Sequence, residues 1–187
     1  DSKKIVVLLP ARMLWDKGVS EFVQAADYLR KKIDIRMVLV GPIDSGNPSS
    51  ITQQQIDIWV KQGLVEYWGF QKDIREAYQQ CHIVCLPSYR EGTPRALIEA
   101  AACSRAIVAT DVPGCRDIVI DNENGLLVPA QNALALAAAI EVLVKNPQMR
   151  AMMAARGREI VEEGFSAQLV NQKTLDVYKV LSTPLSA

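Results

Sequence analysis

The sequence predicts an α/β fold, a parallel sheet of about six strands with helices on both faces. Three observations carry this. Strand-like and helix-like segments alternate along the chain. The strand segments are near-continuous apolar runs, as expected of strands buried on both faces. A length of 187 residues, with 49% hydrophobic and 22% charged side chains, suits one sizeable packed core and not comfortably two.

Taken in order, residues 5–10 (IVVLLP) form the first buried strand. Residues 18–32 carry Val19, Phe22, Val23, Ala26 and Leu29 at helical spacing. A strand over 36–41 follows, then a turn-rich loop at 44–50 (DSGNPSS) and a helix over 51–62. Next come a strand over 65–70 (VEYWGF), a helix over 73–80 and a strand over 82–87 (HIVCLP). A helix over 94–103 leads to strands over 106–110 and 125–129. From 132 the pattern is helical throughout, punctuated by Pro147 and Gly164 into three helices, the last ending near Leu181. The closing segment STPLSA is expected to fray.

Composition excludes several classes. Lys plus Arg and Asp plus Glu number 21 each, so no global charge draws the chain to nucleic acid or anionic lipid. Cys81, Cys85, Cys103 and Cys115 form no Cys-x-x-Cys, and with His82 as the one histidine no zinc set emerges. Each cysteine reads as a reduced, small buried hydrophobe, which fits a cytosolic compartment. No apolar run approaches the ~20 residues needed to span a bilayer, and no signal peptide is evident. The chain begins Asp1-Ser2-Lys3-Lys4 without a methionine and reads as a piece of a longer protein.

Parallel sheets bind ligands beyond the carboxyl ends of their strands, so the chemistry is sought there. The first strand runs into ARMLWDKG, neither a G-x-G-x-x-G fingerprint nor a P-loop. Arg12 and Lys17 in that loop could nevertheless hold a diphosphate, each charge-assisted bond contributing about 1.5–3 kcal/mol. The competing reading is a solvated loop in which Asp16 pairs with a neighbouring cation. The fourth strand runs into SYREGTPRALIEAAACS. Thr93 can cap the helix and Pro94 suits its first position, leaving first-turn amides as a phosphate seat. The helix is apolar nearly all round, so it is expected to be buried, with Glu99 its lone acid. A buried carboxylate needs a donor. An Arg95–Glu99 pair at i,i+4 would supply only about 0.2–0.5 kcal/mol; a ligand diol is the better donor. Glu91 lies on the other side of the phosphate seat, so the two acids suit the two hydroxylated flanks of a nucleoside diphosphate sugar.

Glu91-x7-Glu99 in EGTPRALIEAAAC resembles the E-x7-E motif of the retaining, GT-B glycosyltransferases of family 4. ARMLWDKG resembles their Arg-x4-Lys-Gly diphosphate loop, and TDVPGCRDIVIDNENGLLVP their following strand–turn–strand segment. The three occur in the family's order and at its intervals, and the resemblance covers about residues 5–181. The PGCRD wording is closest to members that build bacterial O-antigen, capsule or N-glycan-precursor sugars. The implied fold is the Rossmann-like three-layer sandwich that forms the C-terminal half of a GT-B protein. The implied function is transfer from a UDP-hexose or UDP-N-acetylhexosamine in cell-surface polysaccharide or lipopolysaccharide synthesis.

The resemblance also assigns roles. Arg12 and Lys17 hold the diphosphate and stabilise the departing nucleotide. Amides from Thr93 to Ala96, Arg95 included, reach the phosphates. Glu99 accepts from the ribose. Glu91 contacts the hexose in a pocket shaped by Gly92, Thr93 and Pro94. Phe70 and Gln71 meet the base. Arg12, Lys17 and Glu91 are thus the catalytic candidates. Transfer is expected to need no metal or cofactor, with a donor phosphate oxygen taking the acceptor's proton. The family's N-terminal, acceptor-binding domain is absent from this chain, so donor binding without catalysis is expected. The last helix is expected to expose apolar surface. A cytoplasmic protein is implied, with membrane association only through the full-length form or a lipid-linked acceptor. A non-catalytic nucleotide-sugar module and a GT-B UDP-sugar epimerase are the alternatives.

Other conspicuous residues have plainer readings. His82 opens a buried strand and is expected to be satisfied there. Trp15, Trp59 and Trp68 read as packing, with Trp15 close enough to the diphosphate loop to touch a ligand. Met149, Met152 and Met153 read as helix packing, and Arg150, Arg156 and Arg158 as a solvated face. Arg116 and Asp117 follow a glycine turn and could line the cleft.

Overall fold

The computed structural model of the chain describes residues 4–182. Six strands form one parallel sheet: β1 (Ile5–Pro10), β2 (Ile35–Val40), β3 (Glu66–Gly69), β4 (Ile83–Leu86), β5 (Ala106–Thr110) and β6 (Gly125–Val128). Their spatial order is β3-β2-β1-β4-β5-β6. The chain order therefore reverses between β1 and β4, where Val7 lies opposite Ile83 and Leu8 opposite Val84. A crevice at such a reversal is where open α/β sheets take ligands. All six expected strands are present, with ends within one residue of expectation.

The apolar runs have the predicted cause. Val7 and Leu9 point to one core, shared with Val19 and Phe22 of α1 (Val19–Leu29) and Leu136 and Ile140 of α6 (Ala133–Lys145). Val6 and Leu8 point to a second core, shared with Tyr78 of α3 (Ile74–Gln80) and Leu97 of α4 (Arg95–Ala102). Both faces are covered, so neither side of the strand is free to be polar. Also on these layers are α2 (Gln53–Lys61), which sends Ile56 to the first core, and α7 (Pro147–Gly164), which sends Val161 to the second.

Two further elements complete the described chain. The short α5 (Pro113–Arg116) was expected only as a turn; one helical turn is too short to show a 3.6-residue period. The last helix, α8 (Ala167–Ser182), exposes Val170, Leu175, Val177 and Tyr178, as the sequence led us to expect. The segment expected to fray lies, beyond Ser182, outside the described residues.

Three expectations about α4 are corrected. Thr93 does not cap it: Pro94 is the N-cap and no side chain satisfies the first turn. Pro94 has no N–H, so of the span Thr93–Ala96 only three residues carry an amide donor. The helix is not buried all round; Leu97, Ala100 and Ala101 face the core, while Ala102 is exposed. Alanine favours helix on any face, so an alanine-rich helix overstates its own burial when read from sequence.

Candidate functional site

The loops after β1 and β4 are pressed together across the strand reversal. After β1 a 3-10 turn (Trp15–Lys17) is closed by Gly18 at φ +70°. A Cβ there would lie 2.0 Å from the Pro87 carbonyl oxygen, so only glycine permits the approach. The Tyr89 N–H donates to the Asp16 carbonyl at 2.9 Å, tying the same loops. Deeper support comes from the Tyr89 hydroxyl, which donates to the buried Glu21 carboxylate at 2.8 Å. Burial and that hydrogen bond push the Tyr89 phenol up from its ordinary range.

This contact brings two of the predicted residues together. Lys17 Nζ lies 2.7 Å from Glu91 Oε1, with the two side chains only 20% and 12% exposed. Arg12, on the outer side of the loop, instead meets Asp44 Oδ2 at 2.8 Å and is 55% exposed. Neither cation has Asp16 as its partner, so the pairing in the competing reading is corrected: Arg12 is solvated but paired with Asp44, and Lys17 is paired with Glu91. Asp16 Oδ1 and Ser88 Oγ are buried without a hydrogen-bond partner in these same two loops.

Glu91 is positioned from behind by α5. A Cβ on Gly114 would lie 1.9 Å from the Gly92 carbonyl oxygen and 2.6 Å from that of Glu91. The neighbouring Cys115 thiol is pushed up to about 11 by burial, with the Glu91 carboxylate adding to the effect. Cys81 is likewise pushed up to about 12 by burial. Both stay protonated and unreactive at neutral pH, in keeping with a packing role. Beside Gly114, Arg116 pairs with Asp111 across the mouth of this loop.

From Glu91 the chain passes exposed Gly92 and Thr93 into α4. The Leu97 N–H takes the Pro94 carbonyl at 3.0 Å, so the Arg95 and Ala96 amides lie ahead of the helical ladder. Arg95's own side chain is 88% exposed. One turn further along, Glu99 is 37% exposed at its side chain, so it is not the buried lone acid expected. It also has a protein donor: the Tyr78 hydroxyl lies 3.3 Å from Glu99 Oε2 and 3.1 Å from the Ala96 carbonyl. Burial, reinforced by the Glu99 charge, pushes the Tyr78 phenol far above its ordinary range, so it remains a donor. Arg95 stands 3.5 Å from Glu99 Oε1, the outer limit of a hydrogen bond.

Glu99 lines a cleft of about 210 Å³ with Gly41, Phe70, Gln71, Tyr78 and Ala96. Phe70 stands 70% exposed at its rim. The Gln71 amide donates to the Trp68 carbonyl at 2.8 Å, which holds its side chain in place. A hollow of about 490 Å³ at the opposite end of the sheet, beside Glu123 and Met152, contains none of the predicted residues.

The remaining residues resolve individually. His82 Nδ1 accepts from the Val6 N–H at 3.1 Å. Trp15 packs edge-on to Trp59, centroids 6.1 Å apart. Met153 is buried, but Met152 is 73% exposed and packs on no core. Arg150 caps the end of α6 through the Leu143 carbonyl, Arg156 pairs with Glu123 and Glu159, and Arg158 pairs with Glu162; the side chains of Arg156 and Arg158 are 41% and 51% exposed, so the expected solvated face is there with its charges paired. The partners of the predicted site residues carry no motif: Asp44 reads as part of a turn-rich loop, Gly114 as a turn glycine and Tyr78 as an ordinary helix residue.

Comparison with known proteins fixes the family. Residues 1–160 match the family described as "Glycosyl transferases group 1". The chain belongs to this family. It is 36% identical over 176 residues to the N,N'-diacetylbacillosaminyl-diphospho-undecaprenol alpha-1,3-N-acetylgalactosaminyltransferase of Campylobacter jejuni, covering 94% of this chain and 45% of that protein. The solved C-terminal domain of a group 1 glycosyl transferase, LpcC of Francisella tularensis, is 27% identical with TM-score 0.77, covering 88% of this chain and 87% of that one. HepE of Anabaena, solved with UDP, shares the fold at TM-score 0.85 and 24% identity, over 96% of this chain and 50% of that one. The GT-B assignment thus holds, and the chain spans about half the length of the curated relatives it matches. Among the described residues no helix is long and apolar enough to cross a membrane.

Proposed function

We propose that this chain is the donor-binding half of a retaining glycosyltransferase that uses a UDP-hexose or UDP-N-acetylhexosamine in bacterial cell-surface polysaccharide synthesis. The observation that carries the reading is the placement of Glu91 and Glu99 on either side of the open first turn of α4, with Lys17 on one acid and an aromatic-rimmed cleft beside the other. A sugar nucleotide laid along this line puts hexose at Glu91, diphosphate at the Arg95 and Ala96 amides, ribose at Glu99 and base at Phe70 and Gln71. The named activity of the Campylobacter relative, transfer of an N-acetylhexosamine, supports the sugar class, and the UDP held by HepE supports the capacity of the fold for such a nucleotide.

In this reading the diphosphate takes Arg12 from Asp44 and Lys17 from Glu91, which frees the Glu91 carboxylate for sugar hydroxyls. The acceptor hydroxyl attacks the anomeric carbon on the face the nucleotide leaves. The bond to the phosphate oxygen breaks, and that oxygen receives the acceptor's proton. Arg12, Lys17 and the helix amides stabilise the charge on the departing diphosphate, and no metal or cofactor takes part. The acceptor is bound by a companion N-terminal domain, and the protein acts in the cytoplasm, reaching the membrane through that domain or a lipid-linked acceptor. Calorimetry with UDP, GDP and ADP tests the reading: UDP is expected to bind in the micromolar-to-millimolar range, and more tightly than the purine nucleotides. Absence of binding by all three would overturn it.

A further inference from the structure

We infer that Tyr78 is a positioning residue for ribose recognition, acting through Glu99. The inference rests on the proposed nucleotide site and goes beyond it, because Tyr78 lies on α3 and belongs to none of the motifs that identify the family.

The geometry is specific. Tyr78 is fully buried, yet its hydroxyl emerges under α4, where its single hydrogen is shared between the Ala96 carbonyl and Glu99 Oε2. A charged acceptor draws that hydrogen more strongly than a neutral one. The contact to Oε2, longer than the one to the Ala96 carbonyl, gives one oxygen of a partly exposed carboxylate a buried donor beside it. Arg95 cannot do this: it is almost wholly exposed and sits at the limit of bonding distance. With Oε2 held by Tyr78, Glu99 Oε1 is the oxygen left to accept from a ligand, and both residues line the same cleft. A diol binds best to a carboxylate that is already oriented, because less side-chain freedom is lost on binding. Tyr78 need not touch the nucleotide.

Tyr78→Phe removes one oxygen and keeps the ring that fills the second core, so the variant is expected to fold. The test is calorimetry on the 187-residue chain with UDP and with 2′,3′-dideoxy-UDP, for the unaltered chain, Tyr78→Phe, Glu99→Ala and the double variant. Tyr78→Phe is expected to weaken UDP binding about three- to tenfold, the cost of ordering the freed Glu99 side chain when the ribose binds. It should leave dideoxy-UDP binding unchanged and add no further loss on top of Glu99→Ala. Equal weakening of both nucleotides, or additivity with Glu99→Ala, would show a merely structural role and overturn the inference while leaving the proposed function standing. Failure of the unaltered chain to bind UDP would overturn both. Thermal melting of each variant, within a few degrees of the unaltered chain, verifies the fold; should Tyr78→Phe melt far lower, Glu99→Ala tested against the two nucleotides still decides whether there is a ribose contact for Tyr78 to support.

Discussion

Gly114 leaves no room for a side chain, and that makes it the sharpest probe of the Glu91 loop. A methyl group there would lie 1.9 Å from the Gly92 carbonyl oxygen, so one backbone or the other must move. Overpacking of this kind costs about 1–3 kcal/mol. Where the Glu91 loop gives way, Glu91 and Gly92 shift relative to Lys17. Gly114→Ala is therefore expected to weaken a UDP-sugar about tenfold or more, each tenfold being roughly 1.4 kcal/mol, while UDP without its sugar binds nearly as before. Calorimetry with the two ligands checks this, and equal losses for both would remove Glu91 from the sugar end. At this scale the sequence was legible where a motif carried the signal. Arg12, Lys17, Glu91 and Glu99 could be named from it. Their protein partners could not, because Asp44 reaches Arg12 from 32 residues away and Tyr78 reaches Glu99 from 21. Periodicity says which face of an element is buried, not which side chain on another element awaits it.

Among the elements, strands were readable because burial on both faces leaves an unbroken apolar signal. β3 is the weakest of them: an edge strand, half-buried along its whole length. Its attachment at the amino end is ionic. Arg36 on β2 grips Glu66 on β3 through two bonds of 2.7 Å, and the Trp68 indole donates to the same carboxylate at 3.1 Å. These bonds, Arg36 first, hold the Glu66 carboxyl below its ordinary range, against a smaller opposing effect of burial. A carboxyl lowered on folding adds stability that is fully present above the unfolded glutamate range and is lost as pH falls through the lowered native value. Glu66→Gln should thus melt below the unaltered chain at neutral pH, and the gap should close on acidification. A gap that stays constant from pH 7 to strong acid would mean the pair does not hold the edge. Helices were less legible than strands at their ends. The α4 boundary hinged on whether Thr93 or Pro94 stood at the cap, and a one-turn element such as α5 has no period to read.

For the whole molecule, the sheet order gathers the candidate residues at one end, in the loops after β1, β3 and β4 and along α4, and leaves that end open. The cleft beside Glu99 and the Lys17–Glu91 pair line this open edge, so a donor would be gripped from one side only. In the proposed reading the acceptor belongs to a companion domain, and α8 carries Val170, Leu175, Val177 and Tyr178 exposed, as a surface for other packing would be. Binding and transfer should therefore separate. With UDP at a hundred times its dissociation constant the chain should gain about 2.7 kcal/mol, a rise in melting temperature of roughly 5–10 °C for a domain of this size. The same chain given a UDP-sugar and an acceptor should transfer nothing, since positioning of the second reactant supplies much of the rate. A protein that joins the chain to an acceptor-binding companion domain should show both the shift and the transfer. Thermal melting paired with a product assay on the two forms decides the matter: transfer by the 187-residue chain alone would mean that it holds its own acceptor site, and that the division of labour argued from its open edge is wrong.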